Sequence, residues 1–127
     1  MKSAKNNKTG KSISIYLRTE TSRLLSSRLV PRNASAAIDA AIGRYMTICD
    51  RHRPSLSHIE MIAVIEAIQV DTSGIAVGTV PWSAVDDANA AGRLDHLGVD
   101  AGSLVKKLKM LSLVEEIALI EMVERRA

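Results

Sequence analysis

The sequence predicts a mainly helical chain that opens with a single β-strand, and three observations predict it. The 127 residues are 46% hydrophobic, and the apolar ones are mostly Ala, Leu, Ile and Val, with no Phe, one Trp and two Tyr. Side chains of this kind suit closely packed helices better than an all-β sandwich, whose strands favour aromatic and β-branched residues. Behind the N-terminal segment, apolar positions recur at helical spacing after residues that cap helices well. Ile13-Ser14-Ile15-Tyr16-Leu17 instead alternates, with an apolar residue at every second position, as a half-buried strand does.

Residues 1–10 form a basic flexible arm. Lys2, Lys5, Lys8 and Lys11 fall within the first eleven residues with no acid among them, and arms of this composition neutralise phosphates. Gly10-Lys11-Ser12 ends like a nucleotide-binding loop, but Lys5 stands where the G-x-x-x-x-G-K-[ST] pattern has its first glycine. A strand rather than a helix follows Ser12, so no helix N-terminus is available for a nucleotide phosphate. After the strand, Thr19 or Thr21 caps a helix to about Leu29 with Leu24, Leu25 and Leu29 inside. "VPRN" breaks it, and Asn33 caps a second helix from Ala34 to about Asp50, carrying Ile38, Ala41, Ile42, Tyr45, Met46 and Cys49 at helical spacing. Pro54 closes this head, residues 11–53.

Residues 54–127 read as a helical C-terminal extension or small domain. Ser57 and Glu60 form a capping box and Leu56 and Met61 a hydrophobic staple for a helix reaching about Val70. The stretch from Asp71 to Val80, with Gly74 and Gly78, is a loop or a short hairpin in "GIAVGTV". Pro81 and Gly92 bracket a short helix around "WSAVDDANAA". Asp100 caps a helix with Leu104, Val105, Leu108 and Leu111, and Ser112 with Glu115 caps a last one with Val114, Ile117, Ile120 and Val123.

Charge divides the chain in the same place. Residues 1–53 hold eleven Lys or Arg against Glu20, Asp39 and Asp50, a net of +8, whereas residues 54–127 hold six against eleven acids, a net of −5. A basic head on an acidic body points to a polyanion as the partner of the head. Cys49 is the single cysteine, no apolar stretch follows the basic N-terminus, and the longest apolar run, Met61 to Ile65, is far shorter than a membrane span. A soluble cytoplasmic protein without disulfides is expected, with no membrane among its partners. His52, His58 and His96 are scattered singly, and no nucleophile elbow, zinc-protease motif, dinucleotide turn or carboxylate pair occurs. The expectation is therefore no enzyme, no metal and no cofactor.

The lone strand carries the most information. Its N–H and C=O groups are unpaired along both edges, and its apolar face of Ile13, Ile15 and Leu17 needs a cover. A second copy of the chain supplies both if two strands pair antiparallel across a two-fold axis above the helices. Ile38 and Ile42 would then join the strand residues in a dimer core. Gly43, which costs about 1 kcal/mol inside a helix relative to Ala, suits a close crossing of two such helices. On the other face of the ribbon, Ser12, Ser14 and Tyr16 project together, on a strip narrow enough for the DNA major groove.

Over about residues 11–48, in "KSISIYL", "TETSRLLSSRL", "VPRN" and "ASAAIDAAIGRYM", the chain resembles the ribbon-helix-helix (Arc/MetJ-type) family of DNA-binding proteins. The resemblance implies that Ser12, Ser14 and Tyr16 read base edges. It also implies that Asn33, Ala34 and Ser35, with Arg32 beside them, clamp a phosphate at the start of the second helix. Lys2, Lys5, Lys8, Lys11 and Arg18 would add further phosphate contacts. The chain departs from the family pattern in using serine hydroxyls, which both donate and accept and so discriminate bases less than Arg or Asn, and in placing Val30-Pro31-Arg32 where a turn glycine is usual. The expected function is a homodimeric, sequence-selective DNA-binding protein, a transcriptional repressor or plasmid-maintenance factor, with higher-order assembly on double-stranded DNA. The alternative is an antitoxin or other protein-interaction module whose partner is held by residues 54–127.

Overall fold

The computed structural model describes residues 19, 20, 23, 34–76 and 79–126. They are mainly helical: α1 is Ala34–Arg51, α2 His58–Ala67, α3 Pro81–Ala90, α4 Ala101–Lys109 and α5 Leu113–Arg126, with a 3-10 turn at Asp95–Leu97 before α4. Thr19, Glu20 and Arg23 are helical as well, where the first helix is expected. The strand expected at 13–17 and the "VPRN" turn lie outside the described residues. Two units divide the chain, Met1–Ala41 and Ile42–Ala127, and the division falls within α1.

In the second unit, α2 starts where the capping box requires. Ser57 Oγ accepts the Glu60 N–H at 3.2 Å and Glu60 Oε1 accepts the Ser57 N–H at 2.9 Å, while Met61 is buried in the core and Leu56 is partly buried against that core. The helix stops at Ala67, three residues short of Val70, because Ile68 turns extended and Val70 is drawn into an antiparallel bridge with Ala76. Asp71 organises the turn between them. Its Oδ1 accepts the N–H groups of Ser73 at 2.8 Å and Ile75 at 3.2 Å, and Gly74 takes φ +84°, the left-handed region that glycine enters without penalty. Residues 70–76 thus form a tight side-chain-supported turn with one bridge, which takes in the first three residues of "GIAVGTV", while Val77 and Gly78 lie outside the described residues. Ala76 N–H donates to Glu124 Oε2 of α5 at 2.7 Å and ties the turn to the far end of the chain.

Pro81 opens α3 at its first position, where a missing N–H costs nothing, and Gly92 at φ +76° follows its end. Asp100 caps α4 by accepting the Ser103 N–H at 3.1 Å. Ser112 and Glu115 cap α5 reciprocally, at 2.9 and 3.2 Å. The core these helices share is closed by Val64, Val85, Leu104, Leu108, Leu119 and Val123, all fully buried, each stabilising by about 1.5–3 kcal/mol relative to exposure. Trp82 packs against that core, and the Lys109 ammonium lies 4.5 Å from its ring centroid, near enough for a cation–π contact. The stripe expected on α5 is corrected in part. Val123 is buried as expected, but Ala118 and Leu119 are its buried companions, while Val114 and Ile117 are exposed. With apolar residues on two sides of α5, periodicity alone does not select the inner one.

Candidate nucleic-acid interface

Most residues expected to contact DNA or build the ribbon lie outside the described residues: Lys2, Lys5, Lys8, Lys11, Ser12, Ser14, Tyr16, Arg18, Arg32 and Asn33, with Ile13, Ile15 and Leu17 of the dimer core. Those that are described stand on α1. The helix begins at Ala34, directly after Asn33, and its first turn holds no acidic residue. The partial positive charge of its N-terminal N–H groups is therefore unopposed by a carboxylate in that turn. Ser35 is exposed beside it.

The apolar face of α1 divides along its length. Ile38 is half-buried and Ile42 is 55% exposed. Tyr45 and Ile48, on the same side at helical spacing, are 40% and 48% exposed, whereas Cys49 is buried at 3%. Among the described residues of this face only Cys49 is buried, and α5 lies against that end of it. Arg125 Nη2 donates to Met46 Sδ at 3.3 Å and Arg125 Nε to Glu121 Oε2 at 3.0 Å. Tyr45 adjoins Glu121, and His52 lies near Glu115, whose carboxyl is held below its ordinary value chiefly by the Ser112 N–H and hydroxyl and to a smaller extent by His52. Contacts that climb α1 while descending α5 mean that the two helices run antiparallel. Partial burial, with Cys49 and Glu121 beside it, raises the Tyr45 hydroxyl well above the ordinary tyrosine range, so it stays protonated.

Gly43 lies on the opposite side of α1, in open space. A Cβ built there meets nothing within 4 Å among the described residues, so no packing among them explains the glycine. Arg44 and Arg51 are a second feature that the sequence reading did not single out. They are seven residues apart, close to two helical turns, and share one edge of α1. Neither forms an ion pair among the described residues, while Arg53 is bound to Asp50 at 2.8 Å. Both arginines are legible in the sequence from that spacing, as is Ile48, three residues after Tyr45. Among the described residues no group of three or more His, Cys, Asp or Glu is arranged to hold a metal ion, and no helix is long and apolar enough to cross a membrane. Compared with models of known families, with curated proteins and with solved structures, the chain matches none.

Proposed function

We propose that this chain acts as a homodimeric, sequence-selective DNA-binding protein of the cytoplasm, a transcriptional repressor or plasmid-maintenance factor that works by occupying its site with a two-stranded ribbon in the major groove. The observation that carries the reading is the apolar face of α1. Ile42, Tyr45 and Ile48 stay exposed in the single chain, and a second copy covering them would close the core that the alternating strand also needs. The charge asymmetry and the acid-free start of α1 support a polyanion as ligand. In this mechanism, lysines of the arm and the α1 N-terminus hold phosphates and supply affinity that falls with salt, while Ser12, Ser14 and Tyr16 supply preference.

Selection of bound duplexes from a random pool, followed by two variants, tests the division of labour. Replacing Lys2, Lys5 and Lys8 with Ala weakens binding to selected and random DNA alike and makes the salt dependence shallower. Replacing Ser14 and Tyr16 with Ala narrows the gap between selected and random DNA at nearly constant salt slope. Full preference in the second variant, with its dimer intact, removes the ribbon as the reader.

The alternative reading, an antitoxin or other protein-interaction module, is favoured by a different observation. Met110 and Leu113, at the α4–α5 junction, are 84% and 71% exposed, more than a surface without a partner usually requires of large apolar side chains. Purification from the native host separates the two readings, since a stoichiometric protein partner bound through residues 54–127 favours the second.

A further inference from the structure

Between the end of α2 and the outer side of α3 lies an open cavity of about 330 Å³ whose lining includes Ala67, Val80, Ser83, Ala84, Asp87 and Arg93. Its volume falls at the lower end of the range for small-molecule sites, and its chemistry is two-ended. The guanidinium of Arg93 is held by one bond, Nη2 donating to the Glu66 carbonyl at 2.5 Å in the last turn of α2. The rest of its planar fork has no partner among the described residues. Asp87 lines the same cavity, and its carboxylate takes part in no ion pair or hydrogen bond with Arg93 or any other described residue. Ser83 adds a hydroxyl between an apolar floor of Ala67, Val80 and Ala84.

Opposite charges that share a cavity without meeting each other favour a molecule that ends in both. A simple anion on Arg93 is repelled by Asp87, which also argues against a nucleic-acid backbone, and a simple cation on Asp87 is repelled by Arg93. A zwitterion satisfies both. We propose that this cavity binds a small zwitterion of amino-acid to dipeptide size, its carboxylate on the free edge of Arg93, its ammonium on Asp87 and its aliphatic part over Ala67, Val80 and Ala84. Planar, two-pronged bonding of a carboxylate is what an arginine fork does best. The site is independent of the DNA reading and stands or falls separately from it.

The test uses the full chain and follows backbone amide resonances and heat of binding during titration with free proteinogenic amino acids and aliphatic dipeptides. Each probe is paired with its N-acetylated and its C-amidated form. At least one free zwitterion binds, shifting the amides of Ser83, Asp87 and Arg93, and blocking either end weakens binding by about tenfold or more, as expected when one charge-assisted contact is lost. Asp87→Asn, at an exposed carboxylate without a partner among the described residues, leaves the fold intact and produces a similar loss for the free probe. Absence of binding by every zwitterion up to roughly 10 mM, equal binding of blocked and free forms, or an unchanged affinity in the Asp87→Asn protein overturns the assignment. The blocked probes act on the wild-type protein, so the result does not depend on any variant folding.

Discussion

Replacing Gly43 with alanine gives a result whose sign depends on whether a second copy crosses α1. Among the described residues the new methyl meets nothing within 4 Å, and position 43 lies well inside an 18-residue helix. The Thr47 hydroxyl already donates to the Gly43 carbonyl at 2.9 Å, and a Cβ does not disturb that bond. With no steric cost, the substitution gains the propensity difference between Gly and Ala, about 1 kcal/mol per chain. If two α1 helices cross at this glycine, the methyls instead enter a packed interface, where overpacking costs about 1–3 kcal/mol. That is roughly a 5- to 150-fold rise in the dimer dissociation constant. The expected outcome, if the second copy meets α1 on the Gly43 side as well as on the face of Ile42, Tyr45 and Ile48, is a weaker dimer, read by sedimentation equilibrium over a range of concentrations, together with weaker DNA binding at concentrations near the dissociation constant. Urea unfolding at high protein concentration supplies the second measurement. A variant about 1 kcal/mol more stable, with unchanged self-association, refutes the crossing at Gly43 and leaves the glycine without a role in assembly.

Leu104→Ala, at a fully buried position on α4, lowers unfolding stability by about 2–5 kcal/mol with little change in the slope of the urea curve. Glu60 is held below its ordinary value of 4.5, first by the hydrogen bond from Lys107 and then by the Ser57 N–H. Its contribution is therefore present above 4.5 and lost as pH falls through the lowered folded value. Glu60→Ala removes the cap acceptor and the bridge to Lys107, which is 45% exposed and so screened, and costs about 1 kcal/mol at pH 7. Glu60→Gln keeps an oxygen for Ser57 and costs less; both flatten the acid limb of a plot of stability against pH, and an unchanged limb contradicts the assignment. Gly92→Ala places a Cβ 3.2 Å from Asp95 Oδ2 at φ +76° and costs about 1 kcal/mol or more in thermal unfolding. Adding Asp95→Ala relieves the contact but not the backbone, so it restores only part of the loss.

Features legible in the sequence share one property, that both partners lie within a few residues of each other. Ser57 with Glu60, Ser112 with Glu115, Asp100 with Ser103, Pro81 at a helix start and Gly92 after a helix end are local arrangements. The capping chemistry that makes them does not wait for the rest of the fold. The start of α1 at Ala34 falls where the sequence expects it, with Asn33 outside the described residues, and the charge asymmetry and the mainly helical class are legible in the same way. The end of α2 shows where this reasoning stops, because its apolar pattern continues to Val70 while the bridge to Ala76 and the bonds of Asp71 take the backbone elsewhere. Tertiary packing alone decided that α5 turns Leu119 and Val123 inward and leaves Ile117 outside, since both faces are apolar and only the helices they meet distinguish them. It also decided that Lys107 reaches Glu60 across 47 residues, that Arg125 settles on Met46, and that Asp87 and Arg93 line one cavity unpaired. Such pairings depend on how whole helices lie against one another, a choice made by the summed burial of the core and not encoded in any short window of the chain.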